Sequence, residues 1–232
     1  VLIPAHDEAA NLPGLVAEVE HALDGLVDFE IVVIDDASGD GTPGVLAALA
    51  DAHPRLRWRR HARQAGQSTA LRSAARLARG AWIATLDGDG QNDPADLPRL
   101  WQAHLEAPAL KLLQGWRVER RDSGLKRLSS RIANAVRGRL LGDATPDSGC
   151  GIRLIERQVL LDLPFFDHMH RFIPALVRQA GWPAISVPVH HRPRRAGRSH
   201  YGLGNRLWVG IIDLAGVAWL GRRTRRTHFE EI

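Results

Sequence analysis

The chain has 232 residues, 44% of them hydrophobic, a formal charge of +5 and a single cysteine, Cys150. That length and apolar content support one sizeable core and exclude a disordered tail. One cysteine excludes an intramolecular disulfide and suits a reducing compartment, the cytoplasm by default, while the basic balance favours phosphate-rich partners: nucleic acid, anionic lipid or a nucleotide-sugar.

The chain opens without Met in an apolar run at Val1, as expected of a sequence trimmed inside its first strand. Asn11 then precedes Leu12, Leu15, Val16, Val19, Ala22, Leu23 and Leu26 at helical spacing, with Pro13 in the first turn, which predicts a helix capped by Asn11. A β-branched run over 30–34 predicts a strand. It is stopped by Asp35-Asp36-Ala37-Ser38-Gly39-Asp40-Gly41-Thr42, and Pro43 starts the next helix. The alternation continues as a strand over 55–59, an Ala-rich helix over 68–79, a strand over 81–86 and a helix over 94–106 capped by Asp93. Four such units predict a mostly parallel α/β sheet with right-handed crossovers. Beyond them come a strand over 110–116, an Arg-rich amphipathic helix over 123–141, a Gly/Asp/Pro-rich loop over 142–151, helices near 154–163 and 168–180, and a strand over 184–191. With no repeats or long linkers, 1–206 is expected to form one domain. Its nucleotide-binding half is 1–116 and its acceptor-side half 117–206, followed by a basic amphipathic segment over 207–232. Arginines gather at 117–139, 192–198 and 222–226, so the basic work falls in the C-terminal half.

The run Trp82-Ile83-Ala84-Thr85-Leu86-Asp87-Gly88-Asp89-Gly90-Gln91 reads as a buried strand ending in two carboxylates that flank a glycine. Such a pair is a polar turn by default. It also suits a hard cation such as Mg2+ or Mn2+, which takes oxygen ligands and shares them with substrate phosphates. Two further polar clusters follow strands, Pro4-Ala5-His6-Asp7-Glu8 and the 35–42 loop, and in an open parallel sheet all three meet outside the strands' carboxyl ends, where ligands bind.

These three clusters, in this order and spacing, resemble the family 2 glycosyltransferases with the GT-A fold, whose pattern is V-x-P-x-x-N-E, then D-D-x-S-x-D-x-T, then D-x-D-x-Q. Gly115-Trp116-Arg117, Ser130-Arg131-Ile132-Ala133-Asn134, Asp147-Ser148-Gly149-Cys150-Gly151-Ile152-Arg153 and Arg194-x-x-Gly197-x-Ser199 resemble the dolichyl-phosphate mannose synthase and polyprenyl-phosphate glycosyltransferase branch. The resemblance reaches to about residue 206. It implies inverting transfer of one sugar from a GDP- or UDP-sugar to a polyprenyl phosphate at the cytoplasmic membrane face. It further implies that Pro4, His6, Glu8, Ile34 and Asp36 line the nucleoside pocket together with Asp87 and Gly88, Asp36 and Glu8 accepting from base or ribose. Asp87, Asp89 and Gln91 would hold the metal and diphosphate. Arg117, Arg131 and Arg194, with Ser199 and His200, would face phosphates, and Asp147 would sit near the acceptor or cap the segment after it. Arg120, Arg121, Arg127, Arg137 and Arg139 are expected to be solvated. The chain departs from the pattern at His6 (usually Tyr), Asp7 (usually Asn), Gln67 (often Lys) and His200 (usually Lys).

The apolar stretch over 207–220, LWVGIIDLAGVAWL, is interrupted by Asp213 and followed by Arg222, Arg223, Arg225 and Arg226. It falls short of the roughly 20 residues that span a bilayer. It fits either a helix lying at the membrane interface on Trp208 and Trp219 or a buried C-terminal helix. Saccharide polymerases of the family usually carry a Q-x-x-R-W motif that is absent here; a saccharide or glycolipid acceptor is the alternative reading. A non-catalytic nucleotide- or nucleic-acid-binding protein is a remote one, since no helix-turn-helix, RNA-binding strand motif or zinc-ligand spacing is present.

Overall fold

The computed structural model describes residues 1–118, 137–143, 145–193 and 203–223, the side chains of 203–209 excepted. A seven-stranded sheet runs in the order β3-β2-β1-β4-β6-β5-β7, with β1 Leu2–Ala5, β2 Ile31–Asp35, β3 Leu56–Arg60, β4 Trp82–Thr85, β5 Leu112–Arg117, β6 Arg153–Glu156 and β7 Ala184–Val189. Parallel pairing joins β1 to β2, β4 and, through β2, to β3, and joins β5 to β7. β6 runs antiparallel to both its neighbours, β4 and β5.

Adjacent strand residues point to opposite faces, and the sequence is apolar on both. Leu2, Val32, Ile34, Leu112 and Ile155 face a core closed by α3 (Gln67–Leu77), α5 (Arg157–Asp162), α6 (Ile173–Gln179) and α7 (Leu203–Arg223). Ile3, Val33, Leu113 and Leu154 face a second core under α1 (Leu12–Leu23), α2 (Thr42–Ala52) and α4 (Leu97–Glu106). Two-sided burial explains why β2, Ile-Val-Val-Ile-Asp, is apolar without alternation.

Several expectations need correction. Asn11 takes a helical backbone and makes no side-chain cap on α1; its Nδ2 donates instead to Glu8 Oε2. α1 stops at Leu23, leaving Leu26 exposed. Asp93 caps a 3-10 turn, Pro94–Asp96, accepting from Ala95 N at 2.9 Å, and α4 begins only at Leu97. The helix expected at 154–163 is a strand and then a helix, β6 followed by α5. Near 168–180, His168 is left-handed (φ 63°) and a 3-10 turn, Met169–Arg171, precedes α6. Of the long helix expected over 123–141, residues 137–141 are helical and 119–136 lie outside the described residues.

Because β6 is reversed, the sheet edge that receives the ends of β1, β2, β4, β5 and β7 also receives the start of β6. His6–Glu8, Asp36, Asp87–Gln91, Arg117, Gly151–Arg153 and His190–Arg192 are thereby delivered to one side.

Candidate active site

The first two polar clusters are locked to each other. Asp7, in the left-handed region (φ 57°), accepts on Oδ1 from Gly39 N at 2.7 Å and Asp40 N at 3.3 Å. Its own N–H donates to Ser38 Oγ at 2.9 Å, and Glu8 N donates to Thr42 Oγ1 at 3.0 Å. Oδ1 does here what an Asn carbonyl oxygen would do, so Asp is accepted where Asn is usual. His6 Nδ1 donates to the Asp36 carbonyl at 2.9 Å, which fixes the ring over the β2 loop.

Asp36 is more engaged than expected. Oδ1 accepts from His61 Nδ1 at 2.7 Å and Ala65 N at 2.9 Å, and Oδ2 accepts from Gly66 N at 2.8 Å. It therefore organises the turn into α3, where Gly66 takes φ 86°. Ile34 is sealed in the core beneath it, and Pro4 is half-buried.

The third cluster closes on the first at Gly88. A Cβ there would lie 3.0 Å from the Pro4 carbonyl oxygen and 3.4 Å from Glu8 Cγ, so glycine lets the loop rest against the end of β1. Asp87 is held on every side. Oδ1 accepts from Gln67 Nε2 at 2.8 Å, its N–H donates to Asn92 Oδ1 at 2.9 Å, and Oδ2 packs so tightly on Gly151 that a Cβ there would sit 2.1 Å away. Burial, reinforced by the negative charge of Asp89, raises the Asp87 carboxyl to about 6, against the pull of Arg153 and Arg117. Asp89 accepts from Gln91 N at 3.1 Å.

This donor set fits a divalent cation shared with a substrate. Among the described residues no three His, Cys, Asp or Glu side chains form a cage, and Mg2+ or Mn2+ ordinarily takes one or two carboxylates and completes its shell with phosphate oxygens and water. A cation between Asp87 and Asp89 would also relieve the repulsion that lifts Asp87.

Arg117 and Asp147 form a fork-to-fork ion pair, Nε to Oδ2 at 2.6 Å and Nη2 to Oδ1 at 2.9 Å. The guanidinium expected to face phosphate is thus aimed by a carboxylate. Arg137, expected in solvent, is instead 7% exposed: Nη2 donates to the Thr145 carbonyl at 2.7 Å and Nη1 lies 3.2 Å from Asp143 Oδ2. Its charged partner Asp143, two residues past the helical stretch, could not be read from helical spacing. Arg139 is exposed as expected. Arg131, Arg194, Ser199 and His200, and with them Arg120, Arg121 and Arg127, lie outside the described residues.

Gln67, Asn92, Gly151, Arg153 and His170 were not assigned a role from sequence. For Gly151 and Arg153 the signal was the Gly-Cys-Gly-Ile-Arg run, which gains meaning only once β6 is paired with β4. Half-buried His170 pairs through Nδ1 with Ser68 Oγ at 2.8 Å and is pushed down to about 3, by desolvation first and then by Arg153. An apolar cavity of about 220 Å³ beside Val1, Leu23, Val27, Trp82 and Trp101 is lined by none of these groups.

α7 divides by face. Val217 is 1% exposed in the core, Ile212 is 69% and Trp219 58% exposed, and Asp213 lies 3.3 Å from His168 Nδ1. Among the described residues no helix is long and apolar enough to cross a membrane.

Residues 1–163 match the Glycosyl transferase family 2. The chain is 33% identical over 241 residues to dodecaprenyl-phosphate galacturonate synthase of Rhizobium johnstonii, covering 99% of this chain and 69% of that protein. It is 31% identical over 205 residues to undecaprenyl-phosphate 4-deoxy-4-formamido-L-arabinose transferase of Aeromonas hydrophila subsp. hydrophila, covering 88% and 62%. The chain therefore spans about two thirds of the length of these relatives. Among solved structures, glucosyl-3-phosphoglycerate synthase from Mycobacterium tuberculosis with phosphoglyceric acid has a TM-score of 0.71 at 20% identity over 97% of this chain and 80% of that one. The same enzyme with Mn2+ and UDP-glucose has a TM-score of 0.69 at 21% identity over 93% and 78%. At that identity the likeness establishes the GT-A fold.

Proposed function

The chain belongs to glycosyl transferase family 2, and from that premise we propose that it moves one sugar from a nucleoside diphosphate sugar to a polyprenyl phosphate, with inversion at the anomeric carbon. The observation that carries the reading is the meeting, at one sheet edge, of the Asp87–Asp89 pair with the Arg117–Asp147 fork. The relatives' names, dodecaprenyl- and undecaprenyl-phosphate sugar transferases, supply the acceptor class.

Pro4, His6, Glu8, Asp36 and Gly88 form the nucleoside side in this reading, with Ile34 buried beneath them rather than lining it. Asp87, Asp89 and Gln91 would hold Mg2+ or Mn2+, which would supply positive charge against the diphosphate. Arg117, fixed by Asp147, offers a rigid fork to phosphate oxygens, with Arg131, Arg194, Ser199 and His200 completing the acceptor side. A phosphate monoester with a second pKa of about 6 is already largely ionised at neutral pH. The acceptor therefore needs orienting rather than deprotonating, and a carboxylate committed to an arginine suits that task. In this reading 1–116 serves the donor, 117–206 the acceptor, and 207–232 is a C-terminal segment. We place the enzyme at the cytoplasmic face of the membrane, where α7 would lie at the interface with Ile211, Ile212 and Trp219 outward. Nucleic acid is not a partner in this reading.

The test is incubation of labelled UDP- and GDP-sugars with undecaprenyl phosphate in detergent and Mn2+. A lipid-linked sugar is expected. Label in a soluble saccharide or a glycolipid, with none on lipid phosphate, would overturn the acceptor assignment.

A further inference from the structure

Arg153 opens the reversed strand β6, in register with Thr85 of β4 on one side and Gln114 of β5 on the other. It therefore lies directly behind both the Asp87 loop and the Arg117 end of β5. Its side chain is 3% exposed. Nη1 donates to the His170 carbonyl at 2.9 Å and Nη2 to the Cys150 carbonyl at 2.8 Å, while Nε has no hydrogen-bond partner. Among the described residues no carboxylate stands within ion-pair distance of it. A buried guanidinium without a direct counter-charge is costly to keep, and here two carboxylates at longer range, Asp87 and Asp147, feel its charge. Asp87 is tied to the same strand by its seat on Gly151, two residues before Arg153.

Resting on the donor reading above, we propose that Arg153 is a positioning residue that sets the charge of the site: a fixed buried cation that restrains binding of the divalent metal and favours the nucleoside diphosphate. Among the described residues around the metal pair, three carboxylates, Asp87, Asp89 and Asp147, stand against two guanidiniums, Arg117 and Arg153. A divalent cation adds two positive charges to that balance, which then favours an anion. Removing Arg153 shifts both states by one charge toward negative, so the two ligands respond in opposite directions. A residue that merely supports the fold would weaken both.

Calorimetry with Mn2+ alone, and with UDP or GDP in saturating Mn2+, on the unaltered chain, Arg153→Gln and Arg153→Lys decides the matter. The expected result for Arg153→Gln is Mn2+ bound at least about fivefold tighter and nucleotide bound at least about tenfold weaker, the smallest change expected for one charge acting through a dielectric near that of water. Arg153→Lys should hold both affinities within about twofold while melting at a lower temperature, because an ammonium keeps the charge and loses the fork. Parallel weakening of both ligands in Arg153→Gln, or loss of affinity in Arg153→Lys, overturns the proposal. If Arg153→Gln does not fold, the lysine variant decides alone: retained affinity with a lowered melting temperature supports the proposal, and affinities that fall with it refute it. An unaltered chain that binds Mn2+ and neither nucleotide refutes the donor reading itself, an outcome distinct from failure of the variants alone.

Discussion

The two sides of the sheet edge are held together differently. On the donor side, carboxylates and hydroxyls bond to backbone: Asp7 to Gly39 and Asp40, Ser38 to Asp7, Thr42 to Glu8, and Asp36 to Ala65 and Gly66. On the acceptor side, side chain meets side chain and charge meets charge: Arg117 with Asp147 and Arg137 with Asp143. Backbone-anchored loops hold a shape whatever the ionic strength, whereas ion pairs owe part of their strength to charge that salt screens. The donor side is a mould and the acceptor side a charge-held contact.

Breaking each side should separate these behaviours. The largest effect is expected from Asp89→Ala, which among the donor-side backbone bonds loses only its own to Gln91 N yet lowers transfer by about 10³-fold and abolishes Mn2+-dependent thermal stabilisation by nucleotide. Arg117→Lys should come next. Losing the two-point fork costs about 2 kcal/mol, read as a ~30-fold fall in kcat/KM for lipid phosphate with nucleotide affinity unchanged; equal loss of both would show that the two sides are not separate. Gly151→Ala must push Asp87 aside, and urea melts should register a loss of about 1–3 kcal/mol. Ser38→Ala, on the donor side, should cost about 1 kcal/mol and shift nucleotide KM without touching the acceptor.

The smallest effect at neutral pH concerns His170. Its folded pKa, about 3, lies below the ordinary 6.5, so folding favours the neutral ring. The stability this gives is full above pH 6.5 and is lost as pH falls from there toward 3. His170→Gln should flatten the decline in stability measured between about pH 6.5 and 4.5; an unchanged slope would mean that the ring is protonated in place.

The sequence made the donor side legible because each cluster there is short and follows a strand that its own apolar run announces. α1, β2 and the Asp87–Gln91 turn needed no long-range information. The acceptor side was opaque for the opposite reason. Three buried residues, Arg153-Leu154-Ile155, and the half-buried Glu156 run straight into the helical Arg157–Asp162, so one continuous pattern hid a change of structure. Arg137 looked like any arginine on a basic helix, since nothing in its spacing pointed to Asp143. Gly151 looked like a loop glycine until β6 brought Asp87 against it. Asn11 shows the converse error: a good cap residue in the right place, drawn off by a better partner in Glu8.

The reversed direction of β6 has a consequence for how such a scaffold diversifies. The chain leaves the active edge at Arg117 and returns to that edge at Arg153, beside where it left, with Gly115 N bonded to the Ile152 carbonyl at 3.0 Å. An excursion whose two ends are neighbours can be lengthened, shortened or exchanged without shifting a strand, at an entropic cost that grows only slowly with its length. Each donor-side loop, by contrast, joins a strand to a helix packed on the sheet and has no such freedom. On the proposed reading, acceptor contacts carried by that excursion can thus change while the machinery for the nucleotide is inherited unchanged.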